Sequence, residues 1–140
     1  PTPQLIDALK EETITQISSG KAHTTAVSKS GHLYTWGAGA CGQLGHPDTS
    51  NFPADEDGYP FQPIPRCVQA LKAFRVVQGV CGDVHTLVLT TEGDVYCFGG
   101  GSFGQLGLGD VVSLPVDGDK CPYMPVPKKI DALDTVRIVK

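Results

Sequence analysis

The sequence predicts an all-β protein built from repeated units of short antiparallel strands. Comparing the 140-residue chain with itself gives one dominant offset of 62 residues, at which residues 20–45 align with residues 82–107 without a gap. Each unit contains short runs of β-branched, aromatic and alternating residues that end at glycine or proline. Three to four such strands per unit, repeated radially, are typical of β-propeller blades, so we expect part of a propeller.

The repeat divides the chain into two full units and the start of a third. The first unit covers residues 1–62 with a long loop at 46–62, and the second covers residues 63–124 with a long loop at 108–124. Residues 125–140 begin a third unit, because "PVPKKIDAL" repeats the opening of the other two. The chain starts at proline and stops within the strand-like "TVRIVK", so we interpret it as a single structural segment of a larger propeller.

The strands of one unit can be predicted in chain order. "ITQIS" and "FRVVQG" supply a first strand, and "HTTAVS" and "HTLVLT" a second. "LYTWG" and "VYCFG" follow after the turn signals "KSG" and "TEG", which predicts an antiparallel hairpin. The segments "LIDALK" and "CVQALK" are ambiguous and fit either an outer strand or a single turn.

At this point the pattern resembles a known family. G-x-x-H-T, (L/V)-Y-x-(W/F)-G, G-x-x-G-Q-L-G and P-x-P occur twice in order, and together they are similar to the regulator of chromosome condensation (RCC) repeat. The resemblance implies a seven-bladed propeller of four-stranded blades, of which this chain would form about two. The structural positions that carry it are Gly20, His23, Gly31, Trp36, Gly37, Gly39, Gly42, Gly82, His85, Gly93, Phe98, Gly99, Gly101 and Gly104.

The sequence departs from the family pattern in two ways. Gly39 and Gly101 stand where the family often has asparagine, and both residue types tolerate left-handed backbone, which predicts a positive φ at these positions. The 62-residue repeat also exceeds the length of about fifty usual for the family. The surplus lies in the two long loops.

The stretch "GAGACGQLG" matches the dinucleotide fingerprint G-x-G-x-x-G, but its context does not. That fingerprint needs a helix that begins at its last glycine, whereas "QLGHPDTSNFP" contains helix-breaking residues. The pattern recurs as "GGGSFG" in the second unit. We therefore predict a structural turn, no cofactor, and poor tolerance of alanine at Gly37, Gly39 and Gly42.

Two histidines occupy the same repeat position. His23 and His85 each begin an inner strand, and we expect a structural role in which the ring bonds backbone between strands. A catalytic or metal-binding role would leave unexplained why each unit contains its own copy of the histidine. His32 and His46 are not repeated and are interpreted as turn and loop residues.

Composition excludes several functional classes. The formal net charge is −4, with no basic cluster, so nucleic-acid binding is not expected. No apolar run is long enough for a membrane-spanning helix. The five cysteines lack C-x-x-C or zinc spacing and are expected to be free thiols in the cytoplasm or nucleus. No nucleophile elbow, metalloprotease or kinase signature occurs, which predicts a non-enzymatic protein without catalytic or metal-binding residues.

The two long loops share the pattern P-x-D-x-D-x-x-P-(aromatic)-x-P. Its acidic and aromatic members are Asp55, Asp57 and Phe61 in the first loop and Asp117, Asp119 and Tyr123 in the second. One interpretation is that prolines and aromatics fold the loop back while aspartates cap turns. A second is a repeated acidic and aromatic surface that contacts a basic protein. A third is weak Ca²⁺ binding, although EF-hand spacing is missing.

The resemblance implies two functional hypotheses. One is a scaffold, adaptor or regulatory propeller that recruits a partner, such as the substrate of a ubiquitin ligase. The other is part of a guanine-nucleotide exchange factor for the GTPase Ran or a similar small GTPase. The family also includes a photoreceptor that depends on clustered tryptophans, which the single Trp36 argues against. Two blades leave sheet faces and edges open, so we also expect a marginally stable monomer or self-association.

Overall fold

The structure, a computed structural model, describes all of residues 1–140 and contains eight strands. They are β1 (Ile14–Ser19), β2 (His23–Ser28), β3 (Leu33–Ala38), β4 (Phe61–Cys67), β5 (Val76–Cys81), β6 (His85–Thr90), β7 (Val95–Gly100) and β8 (Tyr123–Lys129). The strands form two four-stranded antiparallel sheets, ordered β1-β2-β3-β4 and β5-β6-β7-β8. The prediction of an all-β protein with two blades is therefore confirmed.

The predicted hairpin is present in both sheets. In the first sheet, residues 29–32 connect β2 to β3, and the Ser28 N–H donates to the His32 carbonyl oxygen at 3.0 Å. Gly31 has a φ of +90° in this turn. Residues with a side chain rarely adopt this backbone conformation, which explains why both turn signals end in glycine.

The ambiguous segments form single turns of 3-10 helix. These turns span Asp7–Leu9, Gln69–Leu71 and Asp131–Leu133. The fourth strand of each sheet comes instead from the P-x-P segment, as β4 and β8. Both are edge strands, where proline can lack an N–H without breaking a ladder. Each P-x-P segment thus completes the sheet that precedes it in the chain.

The main core lies between the two sheets, where β5 packs against β1 and β2. We call this contact region the interblade joint, and its buried apolar residues are Val27, Leu33, Val68, Leu71, Val76, Val88, Tyr96 and Phe98. Phe98 is fully buried there, whereas Trp36 at the same repeat position of the first sheet is only half-buried. The difference arises because Trp36 lies on the face of the first sheet that points away from the joint.

Hydrogen bonds across the joint protect the edge of the second sheet. The Gln16 side-chain amide donates to the Gly79 carbonyl oxygen at 2.9 Å, and its oxygen accepts the Gly79 N–H at 3.0 Å. The Ser18 hydroxyl accepts the Cys81 N–H at 3.0 Å. These groups lie on the edge strand β5 and would otherwise lack backbone partners. None of the helices has the length and apolar character needed to span a membrane.

Candidate functional site

Each long loop is organised by the first aspartate of the shared pattern. Asp55 Oδ1 accepts the N–H groups of Asp57 at 3.1 Å and Tyr59 at 2.9 Å. An isolated bridge between Ala54 and Pro60 closes the turn. Asp55 therefore fixes the loop conformation, and the carboxylate of Asp57 projects from the turn without a hydrogen bond to the protein.

The second loop repeats this geometry. Asp117 Oδ1 accepts the N–H groups of Asp119 at 3.0 Å and Cys121 at 2.8 Å, and a bridge joins Val116 to Pro122. Asp119 is exposed and takes the place of Asp57. In both loops, then, the first aspartate of the pattern caps a turn and the second is presented to solvent.

The two loops meet at the end of the first sheet. Tyr59 and Gly58 of the first loop and Asp117 and Asp119 of the second line one open cavity of about 350 Å³. The nearby Asp119 carboxylate is the largest of the influences that raise the pKa of the exposed Tyr59. A surface that runs across two repeat units therefore exists, and its acidic groups come from both.

The aromatic members of the loop pattern, Phe61 and Tyr123, do not line this cavity. Phe61 is half-buried as the first residue of β4, and Tyr123 is half-buried as the first residue of β8. Tyr123 packs on the turn of the first unit, where its Cδ2 lies 2.8 Å from the position of a Cβ at Gly42. The exposed aromatic residue of the first loop is Tyr59, which the repeat pattern does not indicate because Cys121 stands at its repeat position.

No helix follows the glycine-rich stretch, and residues 39–45 form successive turns. Gly37 leaves β3 with a φ of +103°, and a Cβ there would collide with the Ala22 carbonyl oxygen. Leu44 within the same stretch is buried and anchors the turns to the sheet, because its carbonyl oxygen accepts a 2.7 Å bond from the Thr35 hydroxyl. The glycines of this stretch are thus required by the backbone conformation and by close packing.

The predicted positive φ at Gly39 and Gly101 is wrong, because neither residue adopts it. Close packing explains the glycines instead. A Cβ at Gly39 would lie 3.1 Å from Leu44 Cδ1 and 3.4 Å from the Pro60 carbonyl oxygen. At Gly101 it would lie 3.0 Å from both Leu106 Cδ1 and Leu114 Cδ1. The left-handed residues of these turns are Gly42 and Gly45 in the first unit and Gly104 and Gly107 in the second.

His23 serves the joint between the sheets, but not through the backbone bond that we expected. Its Nε2 lies 2.9 Å from Thr86 Oγ1 of the second sheet, and Thr86 Oγ1 donates to the Gln43 carbonyl oxygen at 2.8 Å. Because the Thr86 proton is used in that bond, His23 Nε2 must be the donor. Burial, and secondarily the neighbouring His85, hold the pKa of His23 below its ordinary value. His85 is half-buried, and its ring makes no hydrogen bond.

His46 lies in the loop after β3, as expected, but its side chain is buried. Its Nε2 lies 3.1 Å from Thr35 Oγ1, and its ring packs edge-on against Phe52 at 5.9 Å between centroids. Burial, with a smaller contribution from Arg66, lowers its pKa to about 4. Little in the repeat pattern indicates a buried histidine at this position, because the second unit has Leu108 there.

We expect the buried His46 to make stability depend on pH. Its folded-state pKa lies below the ordinary 6.5, so the unfolded chain binds more protons as pH falls from about 6.5 towards about 4. Folding should therefore weaken by roughly 1–2 kcal/mol between pH 7 and pH 5 from this residue. His46→Leu, which installs the residue of the second unit, should reduce that loss in urea titrations at the two pH values.

The half-exposed His32 provides the control for this experiment. His32→Gln in the hairpin turn should retain the pH dependence of the unsubstituted chain. Thr35 keeps its bond to the Leu44 carbonyl oxygen when His46 is replaced, so the leucine variant leaves no buried hydroxyl unpaired. An undiminished pH dependence in His46→Leu would show that other groups control it.

The fold and the paired loops define a class: a segment of a repeat-built β-propeller whose loops gather on one side. Two family comparisons agree with this class. Residues 30–89 and 92–140 match the regulator of chromosome condensation (RCC1) repeat, and a second description of that repeat matches residues 14–43 and 76–105. The chain belongs to the RCC1 repeat family.

Curated relatives match nearly the whole chain. It is 36% identical over 140 residues to the E3 ubiquitin-protein ligase HERC2 of Homo sapiens and 37% identical over 139 residues to the ultraviolet-B receptor UVR8 of Arabidopsis thaliana. These alignments cover 99% of this chain but only 2% and 27% of those relatives. The chain thus corresponds to a small part of each relative.

Solved structures show the same fold. Human WBSCR16 superimposes with a TM-score of 0.71 at 27% identity, covering 100% of this chain and 31% of that one. Prp20p of Saccharomyces cerevisiae superimposes with a TM-score of 0.69 at 24% identity, over 86% of this chain and 26% of that one. Together, the comparisons support a protein-interaction repeat module.

Proposed function

We propose that the chain is the partner-recruiting module of a larger protein and acts as a non-enzymatic scaffold or adaptor. The observation that carries the proposal is the joining of two long loops from adjacent units into one exposed surface. We define the loop surface by the residues that the loops present together: Asp55, Glu56, Asp57, Tyr59, Asp117 and Asp119. A ubiquitin ligase is the proposed setting, because HERC2 aligns over 99% of this chain.

The charge of the loop surface specifies the kind of partner. Its carboxylates are opposed by one lysine in the two loops, Lys120. Asp57 and Asp119 are both exposed, and Asp119 lies beside the Tyr59 hydroxyl, so both carboxylates present negative charge to cationic groups. Exposed charges of one sign steer an oppositely charged partner and set its orientation. We therefore propose a protein segment rich in arginine and lysine as the partner.

Tyr59 adds an apolar contact to this charged surface. Its side chain is 47% exposed and lies beside Asp119, so a cation bound by the carboxylate would also reach the tyrosine ring. Tyrosine and arginine are among the residues enriched at protein interfaces, and a ring face attracts cations. Arginine, which can both pair with a carboxylate and stack, suits this surface better than lysine.

The alternative role, exchange activity on a Ran-like GTPase, has weaker support. The structure of Prp20p is described with its binding to Gsp1p and histones. Prp20p is only 24% identical to this chain, and a similarity at that level supports a shared fold and not a shared activity. We propose the scaffold role in the cytoplasm or nucleus, in keeping with five cysteines that form no disulfide. Accelerated nucleotide release from a Ran-type GTPase by the chain would favour the alternative.

A charge-reversal variant tests the loop surface. Asp57→Lys combined with Asp119→Lys should weaken binding of a fluorescent arginine-rich peptide at least about tenfold, since both reversed charges face the peptide. Asp7→Lys with Glu11→Lys makes the same change of net charge at exposed positions near the N-terminus. Fluorescence anisotropy at moderate salt should show near-normal binding for this control. Equal losses in both variants would contradict a localised binding surface.

A further inference from the structure

One cysteine of each repeat unit lies where the two long loops meet. Cys41 belongs to the glycine-rich turns of the first unit and lines the cavity of about 350 Å³ together with Asp117 and Asp119 of the second. Cys121 ends the turn that Asp117 organises, and its Sγ lies 3.9 Å from the Asp119 carbonyl oxygen. The same two aspartates thus neighbour both cysteines, although the cysteines belong to different units.

The backbone beside the two cysteines is closely packed from one unit to the next. A Cβ at Gly42, the neighbour of Cys41, would lie 2.8 Å from Tyr123 Cδ2 and 2.9 Å from Pro125 Cα. Tyr123 is the first residue of β8 and follows Cys121 by two positions. The turn that carries Cys41 is therefore held against the segment that carries Cys121.

The repeat does not account for either cysteine. Phe103 stands at the repeat position of Cys41, and Tyr59 at that of Cys121. The other three cysteines belong to strands, with Cys67 at the end of β4, Cys81 at the end of β5 and Cys97 buried within β7. The two cysteines outside the strands therefore come from different units to one place.

We propose that Cys41 and Cys121 form a redox modification site, at which a peroxide converts the two thiols reversibly into a disulfide that links the two units. Cys41 lies in a turn and Cys121 in a loop, so the sulfur atoms can approach each other without breaking a strand ladder. The open cavity beside Cys41 admits a molecule as small as hydrogen peroxide.

The two thiols differ in exposure, and this difference sets the order of the steps. Cys121 is exposed, whereas Cys41 is half-buried. Burial, with smaller contributions from Asp117, Cys121 and Asp119, raises the pKa of the Cys41 thiol, so Cys41 stays protonated at neutral pH. Peroxides react with thiolates that solvent can reach, so Cys121 reacts first and Cys41 second.

The reaction balances with one molecule of hydrogen peroxide. The Cys121 thiolate attacks one oxygen, the O–O bond breaks, and the departing hydroxide takes up a proton to become water, which leaves Cys121 as a sulfenic acid. The Cys41 sulfur then attacks the Cys121 sulfur. The S–O bond breaks, the S–S bond forms, and hydroxide leaves with the Cys41 proton as a second water. The peroxide is reduced, both thiols are oxidised, and a dithiol reductant reverses the change.

The disulfide also has a consequence for stability. A link between Cys41 and Cys121 closes a loop of the chain that contains β4, β5, β6 and β7. Closing so long a loop restricts the unfolded chain far more than the folded one. The oxidised chain should therefore unfold at a higher urea concentration than the reduced chain.

Peptide mapping after mild oxidation tests the proposal. Trypsin cuts after lysine and arginine, so Cys41 is the only cysteine of peptide 30–66 and Cys121 the only one of peptide 121–128. The folded chain treated with a small excess of hydrogen peroxide should lose two of its five free thiols. Its mass should fall by about 2 Da, the two hydrogens removed, and the two peptides should appear as one linked species. Dithiothreitol should restore both thiols.

Serine variants provide the controls. Cys41→Ser and Cys121→Ser should each abolish the linked species and the rise in the urea midpoint. Cys67→Ser is the matched control, because Cys67 is half-buried like Cys41 but belongs to β4, and this variant should form the link normally. Circular dichroism verifies that each variant is folded, and a nonreducing gel separates a link within one chain from a link between two.

Several results would overturn the proposal. One is a disulfide that joins Cys41 or Cys121 to another cysteine or to a second copy of the chain. Another is oxidation of Cys121 beyond the sulfenic acid while Cys41 remains a free thiol. A linked chain that unfolds at the same urea concentration as the reduced chain, or at a lower one, would also contradict a disulfide that fits the folded structure.

Discussion

Replacing Phe98 with alanine is expected to lower the free energy of unfolding by about 3–5 kcal/mol. The Phe98 side chain is 0% exposed in the centre of the interblade joint. Its ring also lies against Gly45, whose Cβ position is 2.9 Å from Phe98 Cε2. Truncation leaves a cavity bounded by both sheets, which cannot collapse without moving one sheet against the other.

Urea unfolding provides the measurement, with two probes. Trp36 is the only tryptophan and lies in the first sheet, whereas far-ultraviolet circular dichroism reports both sheets. Phe103→Ala makes the same chemical change at a side chain that is 94% exposed, and it should alter stability by less than about 0.5 kcal/mol. A loss below about 1 kcal/mol in Phe98→Ala would mean that the joint does not stabilise the fold.

Gly37→Ala is expected to cost about 2–4 kcal/mol, for two separable reasons. The residue has a φ of +103°, which an alanine adopts only with strain. The new Cβ would also collide with the Ala22 carbonyl oxygen and lie 2.8 Å from His23 Cα, and both of these atoms belong to the backbone. Relief would require β2 and β3 to separate where they pair His23 with Gly37.

Two glycine variants separate these contributions in thermal and urea unfolding. Gly58 has a φ of +86° with no atom within 4 Å of its Cβ position, so Gly58→Ala should show only the conformational cost of about 1 kcal/mol. Gly118 has neither a left-handed φ nor a close neighbour, so Gly118→Ala should be nearly neutral. If Gly37→Ala proved no worse than Gly58→Ala, the close approach of the strands would have no energetic weight.

The architecture could be predicted from sequence because the repeat supplied it twice. Alignment of His23 with His85 and of Trp36 with Phe98 fixed the equivalent strands, and the glycine of each hairpin fixed the turn. The fourth strand was harder to predict. Prolines argue against a strand in general, and only the sheet order shows that β4 lies at an edge where they are tolerated.

Contacts between units could not be predicted from one unit. The bond between His23 and Thr86 and the approach of Tyr59 to Asp119 join residues of different repeats, so no local pattern encodes them. The two reasons for a glycine are equally hard to separate from sequence. Gly42 needs both a left-handed φ and space, whereas Gly39 needs space alone, although they stand three residues apart in the same stretch.

Nuclear magnetic resonance mapping of the arginine-rich peptide on the folded chain tests the proposed role most directly. The backbone amides of Gly58, Tyr59, Gly118 and Asp119 should shift on titration, because these residues line the cavity where the two loops meet. Shifts should be small in the strands of both sheets, and the shifts in the loops should be lost in the Asp57→Lys, Asp119→Lys variant. Shifts confined to the sheet faces, or none in the loops, would contradict a partner-recruiting loop surface.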